Sequence, residues 1–399
     1  AGISWRELEL LYAATHYLRQ SGGIPSVSVA RRTFLKHPEF VDQLIRLFET
    51  RFCPSNDEME AERKTRVQRL DRGLKSYSKR VSTNAEDQIL RAINGLFSKA
   101  IVRTNYYLPH RQSSFLLSLK IRPRRLECIP EPKPNYEIYV HHAGVEGVHM
   151  RSGKVARGGI RYSDRTDDYR TEVLGLMLTQ RTKNALIVPM GAKGGFIIKQ
   201  RPWAVSPNAD ADRSGFGELS PEEAYDLFIT GLLEVTDNQS DGEVTRSPDL
   251  VVYDGNDPYL VVAADKGTAR FSDRANQIAE GLGFWLDDAF ASGGSNGYDH
   301  KAMGITARGA WESARRHFLE LGVDPEVDPV RVVGIGDMSG DVFGNGMMLS
   351  RSIRLVAAFN HKHIFLDPNP DPIRSFEERR RLFDLPRSTW MDYDPEVLS

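Results

Sequence analysis

A chain of 399 residues with 40% hydrophobic and 27% charged side chains is long enough for two or three globular domains. Its 53 Lys+Arg and 54 Asp+Glu nearly cancel, no apolar run reaches the ~20 residues that cross a bilayer, and no basic-apolar-small leader opens it. Two cysteines, Cys53 and Cys128, are too few for a disulfide scaffold and point to a reducing cytoplasm.

The charges are unevenly placed: residues 1–135 carry 24 Lys+Arg against 14 Asp+Glu, and the remainder 29 against 40. Such asymmetry fits either nucleic-acid contact or a basic helical region packed on an acidic one. No paired Cys/His and no aromatic RNA-binding stretch supports the first.

Residues 1 to about 108 read as helices: Trp5–Arg19, Ala30–Phe52, Glu58–Arg80 and Ala85–Thr104, with a connector around Gly22-Gly23-Ile24-Pro25. The first helix pattern opens at once without a methionine, so the chain reads as a piece of a longer one. The alternating charges of Glu58–Arg80 read as a solvated face held by i,i+4 pairs. From Ser114 the period shifts to two, giving strands at Phe115–Ile121 and Tyr136–Val140. His141, His142 and His149 lie close in sequence, but neighbouring strand residues alternate faces and the spacing matches no zinc ligand set, so no metal site is assigned.

Next comes Arg157-Gly158-Gly159-Ile160-Arg161-Tyr162, a cation against paired glycines. Asp167–Asn184 reads as a helix with acids in its first turn and Arg181 and Lys183 in its last. Ala185–Met190 reads as a buried strand and Phe196–Lys199 as another, with Gly191-Ala192-Lys193-Gly194-Gly195 as the loop between them. Without Cβ atoms such a loop admits a ligand closely, and a lysine desolvated there loses its proton more easily. Read alone, the loop is equally a turn with a solvated lysine. Arg157, Lys183 and Lys193 together place three cations near the ends of adjacent elements, which suits a small dianion.

Arg201–Gly217 reads as a surface loop, and Ser220-Pro221-Glu222-Glu223 opens a helix with a capping serine, proline at the first position and a carboxylate three residues after the cap. The run Tyr259–Ala264 ends in Asp265, where α/β proteins place chemistry and where an acid can also cap the next helix. Glycine-rich Phe290–Gly309 feeds a helix to Leu321. Val330–Gly340 then reads as a strand and glycine turn ahead of a helix at Val342–Ser352. Gly334 allows the tight turn, Gly336 lets the backbone approach a pyrophosphate, and Asp337, Met338, Ser339 and Gly340 complete the turn. The spacing is G-x-G-x-x-x-G, not G-x-G-x-x-G. A second strand within Leu355–Leu366 ends in Asp367-Pro368, either a carboxylate for ribose hydroxyls or a turn-forming Asp-Pro.

The succession GGIR, TKNA, PMGAKGG and AADKG resembles the substrate domain of glutamate dehydrogenases, in spelling the large NAD-specific bacterial class. The resemblance implies an α/β chain made of a helical N-terminal region (1–110), an α+β substrate and catalytic domain (111–325) and the truncated start of a Rossmann-like dinucleotide-binding domain (326–399). It implies Lys193 and Asp265 as catalytic residues and Lys183 on the substrate α-carboxylate. Arg157, beside Gly158, takes the place near the side-chain carboxylate where smaller relatives carry a lysine, and Thr306 falls near the nicotinamide. NAD as cofactor, L-glutamate, 2-oxoglutarate and ammonium as partners, and a homo-oligomer follow from the same resemblance. Rival readings are a dehydrogenase for another amino acid, a non-catalytic scaffold piece, and a phosphotransferase, the last lacking the Ser or Thr that follows a P-loop lysine.

Overall fold

The computed structural model describes residues 2–54, 60–79, 81, 83–111, 115–183, 190–199, 219–297 and 300–399, the side chains of 78, 181–183 and 300–301 excepted. The strand read at 185–190, apart from Met190, and the loop read at 201–217 lie outside the described residues. The chain divides into two compact units, Ala1–Asn296 and Gly297–Ser399.

The first unit opens with α1 (Trp5–Gln20), begun by a capping box in which Ser4 accepts the Glu7 N–H and Glu7 accepts the Ser4 N–H. Where periodicity gave one helix over 30–52, there are two, α2 (Val27–Lys36) and α3 (Pro38–Phe52). Pro38 has no N–H to donate and pushes His37 out of the helical region, so α2 stops there and the proline takes the first position of α3. Then follow α4 (Glu60–Ser78) and α5 (Asn84–Gly95). The helix read on to Thr104 instead ends at Gly95, passes through a π-turn at Leu96–Ala100, and becomes strand β1 (Ile101–Thr104). Ile101, Val102 and Thr104 are β-branched, and pairing with the next strand overrides their helical spacing.

That next strand is β2 (Leu117–Ile121), followed by β3 (Tyr136–His141), β4 (Val145–Arg151), β5 (Ala156–Tyr162), α6 (Tyr169–Lys183), β6 (Met190–Ile198) and α7 (Pro221–Leu233). A two-stranded ribbon of β7 (Asn238–Ser240) and β8 (Glu243–Thr245) precedes β9 (Val261–Ala264), α8 (Ser272–Gly281) and β10 (Ala291–Ser292). Eight of these strands form one sheet in the order β1-β2-β3-β4-β6-β5-β9-β10. Its first half is antiparallel, and β6, β5, β9 and β10 run parallel. The parallel half therefore presents several strand ends on one side, the usual seat of chemistry in open α/β sheets.

Alternation along the strands sends two sets of side chains into two cores. Leu117, Leu119, Tyr139, Val148 and Met150 join α1–α5 and α6 on one face. Ile138, Val140, Val145, Ile160 and Phe196 join α7 and α8 on the other. Two buried charge clusters tie other segments to the sheet, the first of them helices and the second loops. On the α6 face, buried Glu137 accepts two hydrogen bonds from Arg170 (2.8 and 2.7 Å) and one from the Tyr17 hydroxyl (3.2 Å), pinning α1 and α6 together. On the α7 face, Arg103, Lys120 and Arg151 are matched by Asp237, Asp254 and Asp257, all six essentially without solvent access. The members of this second cluster are far apart in the chain, so no local pattern marks it.

In the second unit come α9 (His300–Met303), α10 (Ile305–Glu320), β11 (Val330–Ile335), α11 (Asp341–Met347), β12 (Ile353–Phe359), β13 (Ile364–Leu366) and α12 (Pro372–Asp384). β11 and β12 are parallel, whereas β13 turns back antiparallel on β12. The single second strand read over 355–366 is thus a hairpin, with Asn360 to His363 at its tip. None of the described helices is long and apolar enough to cross a membrane.

Candidate active site

Gly191-Ala192-Lys193-Gly194-Gly195 is not a loop. It is the middle of β6, paired with β4 on one side and β5 on the other. The glycines are there because neighbours press in from both faces. A Cβ on Gly195 would lie 2.6 Å from Val173 of α6, and one on Gly194 would lie 2.4 Å from Ile160. A Cβ on Gly158 of β5 would sit 1.6 Å from the Ala192 carbonyl oxygen. Glycine here buys close packing between strand and strand, and between sheet and helix.

Alternation puts Lys193 on the α6 face of β6, and Arg157, Gly159 and Arg161 on the same face of β5. Gly159 is in register with Ala263 of β9, and Ala263 with Ser292 of β10. A shelf of small residues therefore crosses the parallel strands between Lys193 and Ser292.

Asp265 stands at one edge of that shelf, immediately beyond β9. It is not the cap of α8, whose N-cap is Phe271. A turn holds it: Thr268 N–H donates to the Asp265 carbonyl (3.1 Å), Gly267 takes φ +82°, and Thr268 Oγ1 donates to the Ile160 carbonyl of β5 (2.6 Å). Lys193 Nζ pairs with Asp265 Oδ2, the lysine being only 5% exposed. Arg161 Nε donates to the same oxygen at 3.0 Å, and its Nη1 donates to Glu172 Oε1 of α6 at 2.9 Å. Partial burial pushes the Asp265 carboxyl up, but the Arg161 and Lys193 bonds outweigh it and hold the group below the usual range.

At the far edge, half-buried Arg157 donates from Nη2 to Ser292 Oγ at 3.0 Å. Ser292 is fixed in turn by Ser272, whose hydroxyl donates to the Ser292 carbonyl at 3.0 Å. Gly158 lies on the opposite face of β5 from Arg157 and Gly159. Lys183 ends α6, and its side chain lies outside the described residues. Arg161, Glu172 and Ser292 were given no role from sequence. Arg161 was within reach, since it stands two residues after Gly159 in a strand and must share its face.

In the second unit, Gly334 is the penultimate residue of β11 and Gly336 follows the strand directly, and a Cβ on either would meet Phe343 of α11, at 2.4 Å for Gly334 and 3.0 Å for Gly336. Gly336 has φ +137° and donates its N–H to Phe359 of β12 (2.8 Å), so the two parallel strands end level. Asp337 Oδ1 accepts from Ser339 N–H (3.1 Å) and Oγ (2.6 Å), and Oδ2 accepts from Asn360 Nδ2 (2.7 Å). Partial burial pushes this carboxyl up, but the bonds from Ser339 and Asn360 outweigh it and hold the group below its ordinary value. Met338 is buried beneath the turn, and Gly340 caps α11. Thr306 stands exposed in the first turn of α10.

Asp367 is not beside this turn. Its N–H donates to the Val356 carbonyl, so it lies about four residues, or roughly 13 Å, back along β12 from Asn360. The hairpin at β13 reverses the chain, and Asn360 occupies the strand end where Asp367 was expected. The Asp367 carboxylate is buried and accepts from Ser399 N–H (3.2 Å) and Oγ (2.6 Å).

His141, His142 and His149 go separate ways. His141 Nε2 lies 3.2 Å from Glu9, His142 Nδ1 accepts the Gly144 N–H (3.1 Å), and His149 is buried on the α7 face. Among the described residues no cluster of His, Cys, Asp and Glu has the makings of a metal site.

Residues 74–399 match the protein family described as bacterial NAD-glutamate dehydrogenase, catalytic domain. The chain belongs to that family. Residues 1–54 match a second description, glutamate dehydrogenase, helical motif 3. The whole chain is 51% identical to the NAD-specific glutamate dehydrogenase of Mycobacterium tuberculosis, 51% to that of Halomonas elongata and 49% to that of Pseudomonas aeruginosa. It spans about a quarter of the length of each, 25%, 24% and 24% respectively. Among solved structures it is similar to a hetero-hexameric glutamate dehydrogenase from Thermus thermophilus in a leucine-bound form, at 19% identity over 66% of this chain and 55% of that one. The TM-score is 0.36.

Proposed function

We propose that the protein carrying this chain catalyses NAD-dependent oxidative deamination of L-glutamate to 2-oxoglutarate and ammonium. The observation that carries the proposal is the Lys193–Asp265 pair at the edge of a shelf floored by Gly159 and Ala263. A substrate amino group resting there would meet a cation, a carboxylate and no intervening side chain.

NAD, when bound, accepts the hydride from the α-carbon; Gly334, Gly336, Asp337, Met338, Ser339 and Gly340 would hold it, with Asn360 beside them and Thr306 toward the nicotinamide. The glycine room at the paired strand ends fits the close approach of a dinucleotide, and Asn360 stands at the end of the second strand, where such folds meet the ribose.

This chain's own residues supply the rest. Arg157, kept extended by Ser292, would take the side-chain carboxylate, and Lys183 the α-carboxylate, so that the dianion is held at both ends. Asp265 would take a proton from the substrate ammonium before oxidation and return it to the departing nitrogen. Lys193, losing its proton for part of the cycle, would activate the water that adds to the imine carbon. Removing Lys183 or Arg157 would then raise KM for the dicarboxylate more than it lowers kcat.

A cytoplasmic homo-oligomer acting on glutamate, 2-oxoglutarate and ammonium is part of the same proposal. Initial rates of NADH oxidation with 2-oxoglutarate and ammonium test it in the complete polypeptide. Turnover with 2-oxoglutarate well above that with monocarboxylate 2-oxoacids supports glutamate; a preference for another 2-oxoacid moves the protein to a different amino acid, and none at all leaves the chain a scaffold.

A further inference from the structure

We infer that Arg161 is a positioning residue for the Lys193–Asp265 pair, and that Glu172 sets how much of its charge reaches that pair. The inference rests on the reading of Lys193 and Asp265 given above.

Arg161 stands on β5, the strand between those bearing Lys193 and Asp265, and its side chain rises on the face both occupy. Nε donates to Asp265 Oδ2 at 3.0 Å, the oxygen that Lys193 also holds. Nη1 is turned away to Glu172 Oε1 at 2.9 Å, and Ser163 Oγ donates to Glu172 Oε2 at 2.6 Å, which keeps that carboxylate in place. Two cations and two carboxylates thus alternate from β6 to α6 as Lys193, Asp265, Arg161 and Glu172. The groups facing Asp265 are Lys193 from β6 and Arg161 from β5, together with the Lys266 backbone N–H in its own turn. Glu172 reaches it from α6 only through Arg161.

A lysine and an aspartate alone in this setting would close into an ion pair and keep the lysine protonated. A second cation on the same oxygen weakens that hold, because like charges raise the cost of the protonated amine. Glu172 offsets part of the effect by drawing on the other end of the guanidinium. The arrangement lets Lys193 give up its proton without losing the carboxylate that aims it.

The two ends of the arrangement act in opposite directions, which a merely structural role would not produce. In Arg161→Gln the low-pH limb of kcat/KM for glutamate moves to higher pH by about one unit or more, and Arg161→Lys moves it part of the way back. In Glu172→Gln the limb moves to lower pH. A readout independent of turnover is the pH dependence of Lys193 carbamylation by cyanate, which attacks only the neutral amine and is mapped by peptide mass spectrometry; it shifts in the same directions. Both measurements are made on the complete polypeptide. Opposite shifts in the carbamylation profiles without glutamate turnover in the parent would uphold the charge arrangement and sink the substrate reading. Glutamate turnover with uniform rate losses, or with shifts of one sign in both variants, would overturn the inference. Should Arg161→Gln fail to fold, Arg161→Lys and Glu172→Gln still give the two directions.

Discussion

Lys193 on β6 pairs with Asp265 just beyond β9 although β5 runs between them, and at the crossing point β5 carries Gly159, with no side chain. Two strand spacings separate the backbones by about 10 Å, which only a long amine and an unobstructed path can bridge. A Cβ on Gly159 would lie 2.8 Å from the Ala264 carbonyl oxygen and 3.2 Å from Asp265 Cβ. Gly159→Ala is therefore expected to displace Asp265 and lower kcat by on the order of 10²-fold, measured by steady-state rates beside a circular-dichroism melt. A Gly158→Ala variant differs in kind: its Cβ would overlap the Ala192 carbonyl at 1.6 Å, and soluble expression is expected to fail.

The buried cluster of Arg103, Lys120, Arg151, Asp237, Asp254 and Asp257 balances three cations against three carboxylates. Asp257→Asn leaves a cation in excess and is expected to cost about 3–5 kcal/mol at neutral pH, read by urea unfolding.

The same aspartate gives a pH window. Burial pushes its carboxyl up, yet Arg151 and Lys120 outweigh that and bring it down to about 2 from an ordinary 3.8. A depressed folded value means stability fully present above 3.8 and lost as pH falls toward 2. Acid unfolding curves should show this loss in the parent and a flatter slope over that interval in Asp257→Asn.

In the second unit the cofactor prediction separates the Gly336 turn from Asp367. Gly336 has φ +137° with Phe343 packed against it, so Gly336→Ala is strained and is expected to weaken NADH binding at least tenfold by fluorescence titration. Asp367 sits beside Val356, midway along β12 and away from the turn, hydrogen-bonded to Ser399, and Asp367→Asn is expected to leave NADH affinity and the preference over NADPH unchanged.

Much of this was legible in the residues. The helices α1, α6 and α7 followed from apolar spacing and caps, and Ser220-Pro221-Glu222-Glu223 forms the capping box its order spells. Lys193 and Asp265 stood out for their settings. What misled was glycine. In GAKGG it looked like turn material, although it sits in a strand whose neighbours leave no room for Cβ atoms, a fact of packing that no local pattern records. Strands β4 and β5 went unread because charges and glycines break their alternation. The placement of Asp367 failed because Asn360 to His363 turn a hairpin where one strand was expected. The buried ion cluster joins residues more than a hundred positions apart, so only the folded sheet could bring Arg103 to Asp237 and Asp254.

The most direct test of the central claim is Lys193→Ala in the complete polypeptide, with glutamate turnover and NADH affinity measured on the same preparation. Turnover should fall by on the order of 10³-fold or more while the NADH dissociation constant stays within about twofold of the parent. Retained turnover, or parallel loss of turnover and NADH binding in a folded protein, would contradict the role assigned to this lysine.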